Sequence, residues 1–331
     1  MHLARFARRT LGHLPTPLEP MPRLTAELRR HGPAPNLWVK RDDCTGLATG
    51  GNKTRKLEFL VGDALARGAD VLVTQGATQS NHVRQTAAAA AAVGLRCEVF
   101  LEARVQRDEE YEQSGNVLLD DLLGAHVVAR PPVDTDMQAV MDEHAAKLAA
   151  DGSTPYVIPG GGSNPVGALG YVACAQELAS APVRIDQVVH ATGSAGTQSG
   201  LVAGLCGSNA RIPVLGIPVK QPADVQVGTV HELAERTLRH LGIDDALPTD
   251  TIEVDDRAIG GGYGVPTDAM VDAVRLVART EGLLLDPVYS GKAMAGLLTR
   301  IGEGAYGQEE NVVFVHTGGA AGLFGYRSAF G

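Results

Sequence analysis

Lys53 lies in TGLATGGNKTRKLEFL, positions 45–60, between a run of glycines and a segment with helical apolar spacing. Two chemistries use a lysine so placed: an ammonium that holds a phosphate, and an amine that attacks a carbonyl. The phosphate reading needs the order GxxxxGK[ST]. Gly46 and Gly51 keep the interval, but Asn52 intrudes before Lys53 and Thr54, so the register is off by one. At a helix start the dipole disfavours an ammonium, which lowers the lysine's pKa and frees its amine to form a Schiff base. The plain alternative is a solvated lysine in a helix's first turn.

A second glycine loop, TGSAGTQSG at 192–200, follows one strand-like run and opens a helix-like one. Gly193 and Gly196 let backbone N–H groups turn inward, Ser194 and Thr197 add hydroxyls, and the helix dipole favours an anion, which together make a phosphate cup. A dinucleotide fingerprint fits less well, because the spacing is not GxGxxG and the next strand, PVLGIPV, runs into Lys220 without an acid for a ribose. A tight turn with no ligand remains a third reading. A lysine imine beside a separate phosphate cup implies pyridoxal phosphate, an aldehyde with a phosphate handle.

These loops must be positioned by regular elements, and strand-like and helix-like segments alternate almost throughout, the pattern of an α/β protein with largely parallel sheets. NLWVK reads as a strand and TRKLEFLVGDALARG as the helix after it, with Gly68 as its stop. SNHVRQTAAAAAAVG opens on Ser80 as an N-cap and closes at Gly94. In open α/β sheets ligands bind beyond the carboxyl ends of strands, so the loops 45–54, 76–82, 159–164, 192–198, 286–292 and 317–320 are the places to look.

The chain has 331 residues, 44% hydrophobic and 20% charged, with 40 glycines and a formal net charge of −9. Such an acidic balance argues against a nucleic-acid or anionic-membrane partner, and no apolar stretch reaches spanning length. The basic start, MHLARFARRT, lacks the apolar core of a secretory signal, so a cytoplasmic location is expected. Cys44, Cys97, Cys174 and Cys206 form no CxxC pair, fit neither a metal site nor a disulfide framework, and are expected as reduced core residues. No metal site is expected, and no internal repeat or low-complexity linker is visible.

Across nearly its whole length the sequence resembles the pyridoxal-phosphate enzymes of the tryptophan synthase β-like class, fold type II, and within them the group that holds 1-aminocyclopropane-1-carboxylate (ACC) deaminase, D-cysteine desulfhydrase and L-cysteate sulfo-lyase. PTPLEP, KRDDCTGLATGGNKTRKLEFL, TQGATQSNHVRQTAA, PGGGSNPVGALGY, HATGSAGTQSGL, GYGVPTD, GLLLDPVYSGKAMAGL and FVHTGGAAGLF carry the likeness, in order. The resemblance implies a large cofactor domain from 1–56 and 166–331, a small domain from 57–165, each a mostly parallel twisted sheet flanked by helices, and a homodimer. It implies that Lys53 carries the cofactor and moves the substrate's Cα proton. Asn81 would lie beside the cofactor's phenolic oxygen, with Asn52 also in contact, and Gly193, Ser194, Ala195, Gly196 and Thr197 would take the phosphate. Thr78, Gln79, Ser80, Asn81 and His82 would bind the substrate, Ser80 receiving its carboxylate. Tyr263 and Tyr289 match the two active-site tyrosines, one of them as an acid or base.

One departure bears on the reaction. After the tyrosine of DPVY the cyclopropane deaminases typically carry Glu near the pyridine nitrogen; this chain has Ser290. A neutral hydroxyl, from Ser290 or Thr317, leaves that nitrogen less protonated and the electron sink weaker, which suits β-elimination better than ring opening. The expected activity is therefore a carbon–sulfur lyase acting on a small amino acid and giving pyruvate and ammonia. The wording of the motifs resembles the L-cysteate sulfo-lyases, which release sulfite, with Thr49, Thr78 and Arg84 as candidate sulfonate donors. D-cysteine desulfhydrase is the alternative; ACC deaminase and a phosphate-loop nucleotide-binding protein without pyridoxal phosphate stand behind it.

Overall fold

The computed structural model describes residues 2–244, 247 and 251–331. Its strands are β1 Leu18–Pro20, β2 Asn36–Lys40, β3 Val71–Ala77, β4 Arg96–Glu102, β5 His126–Ala129, β6 Pro155–Val157, β7 Gln187–Thr192, β8 Val214–Pro218, β9 Ile252–Val254 and β10 Asn311–Val315. The helices are α1 Pro22–Arg29, α2 Lys53–Ala66, α3 Asn81–Val93, α4 Glu109–Gln113, α5 Asn116–Leu122, α6 Met137–Ala150, α7 Pro165–Ala179, α8 Gly196–Gly207, α9 Ala223–His240, α10 Asp268–Glu281 and α11 Ser290–Gly302. Two sheets result, one of order β1-β2-β10-β7-β8-β9 and one of order β5-β4-β3-β6. Every pairing is parallel except β1 with β2.

Parallel strands covered on both faces read as continuous apolar runs, and β7 and β8 are buried at every residue. Successive side chains serve opposite faces. Val188, Val214 and Val313 pack with α7, α8 and α9, whereas Val189, Leu215 and Phe314 pack with α1, α10 and α11. The smaller sheet repeats the scheme, with Leu72, Val99 and Leu101 on one side and Val71, Val73 and Phe100 on the other. Each fully buried Val, Leu or Phe contributes about 1.5–3 kcal/mol relative to an exposed one.

The four strands of the smaller sheet all lie within 71–157, and the larger sheet is assembled from 18–40 and 187–315. The expected boundaries fall inside α2 and at the first residue of α7. On this strand content we propose the two-domain division, with its seams beside those helices. Limited proteolysis that cuts first inside the 71–157 sheet would count against it.

α2, the helix that begins with Lys53, is held from below by a buried ionic cluster. The Arg55 side chain is fully buried and donates to both Asp42 oxygens, to both Glu177 oxygens and to Thr16 Oγ1 at 2.7–3.0 Å. Lys40 Nζ lies 2.6 Å from Glu177, and the Tyr171 hydroxyl donates to Asp42. The end of β2, helix α2 and helix α7 are thereby joined. A Cβ on Gly170 would stand 2.3 Å from the Arg55 carbonyl oxygen, so α7 meets α2 backbone to backbone.

Of the four cysteines expected in the core, Cys97 and Cys174 are buried, Cys206 is half-buried and Cys44 is exposed. Asp42 takes the inward position of the Asp42–Cys44 turn to meet Arg55, which leaves Cys44 facing out. No helix among the described residues is long and apolar enough to cross a membrane. Among those residues no group of three or more His, Cys, Asp or Glu side chains is arranged to hold a metal ion.

Candidate active site

A cavity of about 260 Å³ opens where the carboxyl ends of β3, β7, β8 and β10 converge. All six loops singled out in the sequence contribute lining residues, from Asn52 and Lys53 through Gly76, Gly160, Gly193 and Tyr289 to Thr317.

Lys53 is the first residue of α2 and lines the cavity; its Nζ donates to Asn52 Oδ1 at 3.1 Å. Its pKa is lowered to about 8, with burial as the largest cause, the nearby Asp286 opposing and Arg84 assisting. The direction agrees with the expectation from the helix start, but desolvation rather than the dipole leads. Asn52 Nδ2 donates to Thr197 Oγ1 at 3.1 Å, which ties the lysine's loop to the phosphate loop.

In that second loop Gly193, Ser194, Ala195 and Thr197 line the cavity, and Gly196 lies beneath. Ala195 has φ 65°, a left-handed conformation unusual for a residue with a side chain, and as N-cap it offers α8 no side-chain bond; Ser163 Oγ from the 159–164 loop accepts from the Gly196 N–H at 3.2 Å. A Cβ on Gly196 would come within 2.6 Å of Ser163 Oγ and 2.9 Å of Lys56 Nζ, so a larger residue here would displace both side chains. Lys56 is buried, and its Nζ donates to the Gly161 carbonyl at 3.0 Å. Among the described residues no carboxylate pairs with it. Burial first, then the neighbouring Lys53, pushes its pKa well down. A buried lysine without an anion, beside a helix N-terminus that its own N-cap residue leaves open, fits a phosphate group, whose charge would restore the ammonium. Lys56 follows Lys53 by three residues, so the i,i+3 spacing was the signal available in the sequence.

The five residues 78–82 separate into two groups. Ser80, Asn81 and His82 line the cavity; Thr78 and Gln79 do not. Ser80 caps α3, its Oγ accepting from the Val83 N–H at 3.2 Å, as its position predicted. Gln79 donates to the carbonyls of Tyr111 and Ser114 and accepts from the Asn116 N–H, which fixes the α4–α5 connection. Asn81 Oδ1 accepts from Arg84 and from Asn116 Nδ2, each at 3.0 Å. Thr74 Oγ1 gives its proton to the Ile158 carbonyl and so must accept from His82 Nε2, 2.8 Å away. His82 Nδ1 is then a bare acceptor, buried and without a partner among the described residues. Burial and the two lysines hold this imidazole neutral.

On the facing wall the Tyr263 and Tyr289 hydroxyls are 2.7 Å apart. Burial raises both, Tyr289 to about 12. Tyr263 rides on a turn pinned by Lys292, whose Nζ donates to the carbonyls of Ile259 and Gly262 at 2.6 and 2.7 Å. Of the two hydroxyls considered for the pyridine nitrogen, Thr317 faces the cavity and Ser290 does not. Ser290 is committed instead to Asp286, donating from both Oγ and its backbone N–H to Oδ1. Thr49, Thr78 and Arg84, the candidate sulfonate donors, are absent from the lining, and Arg84 is spent on Asn81, Asn116 and the Gly50 carbonyl. Gln75, Arg104, Val219 and Gln221, which the sequence did not mark, line the cavity, as does Lys220, noted there only as the end of a strand.

The chain matches the family described as "Pyridoxal-phosphate dependent enzyme" over residues 9–318. It is 45% identical over 330 residues to the D-cysteine desulfhydrases of Salmonella choleraesuis (strain SC-B67) and Salmonella newport (strain SL254), covering 98% of this chain and 98% of each relative. The crystal structure of an ACC deaminase homologue superposes with a TM-score of 0.89 at 37% identity, over 100% of this chain and 99% of that one. O-ureido-L-serine synthase shares the fold, with a TM-score of 0.66 at 20% identity over 95% of this chain and 92% of its own. This match sets aside the reading as a nucleotide-binding protein without pyridoxal phosphate, and the two-sheet arrangement is that of fold type II. With pyridoxal phosphate as its cofactor, the chain belongs to the pyridoxal-phosphate dependent enzymes.

Proposed function

We propose that this carbon–sulfur lyase is a D-cysteine desulfhydrase, converting D-cysteine to pyruvate, ammonia and sulfide. The observation that carries the reading is the 45% identity, end to end, with proteins of that activity. It displaces L-cysteate sulfo-lyase as the leading expectation.

The bound cofactor supplies an electron sink for the carbanion at Cα. The chain's own groups do the rest. Lys53, with its pKa near 8, holds the cofactor and exchanges the Cα proton at Nζ. Lys56 and the 193–197 loop bind the phosphate, and Asn52 and Asn81 orient the ring. The N-terminus of α3 at Ser80 receives the substrate carboxylate, with Asn81 and His82 beside it. Thr317 would supply a hydroxyl to the pyridine nitrogen, and the Tyr263–Tyr289 pair, protonated at neutral pH, faces the substrate as a hydrogen-bond and proton donor.

Assembly as a homodimer and a cytoplasmic location belong to the same proposal. Leu122 and Phe324, 70% and 67% exposed, are apolar surface that a second subunit would cover. Light scattering that returns a monomer would remove the first of these, and cell fractionation checks the second.

The test is to incubate the holoenzyme separately with D-cysteine, L-cysteine, L-cysteate and 1-aminocyclopropane-1-carboxylate, measuring sulfide, sulfite and 2-oxo acids. Sulfide and pyruvate in equal amounts from D-cysteine are expected. Sulfite from L-cysteate without sulfide from D-cysteine would overturn the assignment.

A further inference from the structure

Arg104 follows β4, faces the cavity, and has no role in the reading so far. Its Nε donates to Glu102 at 2.6 Å, which fixes the plane of the guanidinium, and Nη2 reaches Gln75 Oε1 only at 3.5 Å. Among the described residues nothing accepts from Nη1. The guanidinium carbon stands 5.3 Å from the centre of the Tyr263 ring, so the charge is on the tyrosine wall of the cavity. The other basic groups lining the cavity are otherwise occupied: Lys53 by the cofactor, His82 as a neutral acceptor, and Lys220 at the exposed rim.

Elimination gives that wall a task. The Cα proton goes to a base, its electron pair forms the Cα–Cβ double bond, and the Cβ–S pair departs on sulfur as HS⁻. Water then replaces the nitrogen, so that D-cysteine and water become pyruvate, ammonia and hydrogen sulfide. An anion therefore forms at the end of the substrate farthest from the carboxylate site at Ser80. Preorganised donors aimed at developing charge lower the barrier to its formation.

We propose that Arg104 is the residue that receives the β-substituent as it leaves with its electron pair, and that it sets the enzyme's preference for sulfur leaving groups. The proposal rests on the elimination reading above. It extends to other sulfur groups that depart as anions, the sulfite of a sulfonate included.

The experiment compares leaving groups in the holoenzyme. Wild type, Arg104→Gln and Arg104→Lys are assayed with D-cysteine, which expels poorly leaving HS⁻, and with β-chloro-D-alanine, which expels chloride unaided. Cofactor absorbance is recorded for each, to confirm that the variants are loaded. Arg104→Gln is expected to lower kcat/KM for D-cysteine about 100-fold and for β-chloro-D-alanine less than about tenfold, with Arg104→Lys between the two. Equal losses on both substrates would overturn the proposal, since a brace for Tyr263 or a carboxylate anchor affects both alike. If wild type releases sulfite from L-cysteate and no sulfide from D-cysteine, the D-cysteine assignment fails by itself. The same ratio, taken between L-cysteate and β-chloro-L-alanine, then decides the role of Arg104.

Discussion

Among the helices whose N-termini meet the cavity, α3 from the four-stranded sheet and α8 from the six-stranded one are finished differently. α3 is closed by its own cap, Ser80 Oγ accepting from the Val83 N–H. α8 is left open by its own N-cap residue, Ala195; a serine from another loop, Ser163, accepts from the Gly196 N–H at 3.2 Å, and the buried Lys56 Nζ lies next to Gly196. A capped end with a hydroxyl at its tip suits a single carboxylate that comes and goes. An open end with a lysine suits a group of higher charge that stays. The contrast assigns substrate to the smaller sheet and phosphate to the larger one, with Lys53 between.

That assignment can be broken at several points. Lys53 serves both ends, and Lys53→Ala should lower turnover by about 10⁴-fold, with borohydride no longer fixing cofactor to the peptide that carries position 53. Cofactor fixed to another peptide in the wild type would undo the whole arrangement. At the open end, Lys56→Met should weaken pyridoxal phosphate binding about 10–100-fold, the worth of one charged hydrogen bond, and leave the substrate KM of the loaded enzyme nearly unchanged. An altered KM with unaltered cofactor affinity would place the phosphate elsewhere.

Between the two ends, the amine itself can be titrated. With a pKa lowered to about 8, Lys53 is neutral above that pH and protonated below it, so apoenzyme reconstitution should accelerate with pH and level off just above 8. A rate that still climbs near pH 10 describes an ordinary exposed lysine. The smallest effect is expected at the capped end. Ser80→Ala should destabilise the fold by about 0.5–2 kcal/mol, the worth of a cap, and should raise substrate KM with cofactor affinity intact.

Much of this cavity was legible because glycine marks places where backbone must turn or come close. The loops at 45–54, 159–164 and 192–198 announce themselves in this way, and the start of α3 is readable from Ser80 and its distance to Gly94. Arg104 and the 219–221 segment also follow strands, β4 and β8, directly into the cavity, yet no glycine punctuates them. The rule that ligands gather at carboxyl ends of strands applied to them equally, and composition drew attention elsewhere. Ser290 shows a second kind of limit. Its type fits a contact to the cofactor, but a carboxylate four residues earlier, Asp286, folds back and claims both its hydroxyl and its N–H. Lys56 illustrates a third, since a charged residue in a helix looks solvated until the neighbouring helix that buries it is known.

The ionic cluster beneath α2 has a consequence for how the enzyme fails on heating. Arg55 sits two residues past Lys53 and is clamped by Asp42, Glu177 and Thr16 from three separate stretches of chain. A reactive group on a loop melts early and locally; one bolted to the interior comes loose only with the whole. Thermal inactivation and global unfolding should therefore coincide, and a scan in which activity vanishes well before the folded signal would show that the clamp gives way alone.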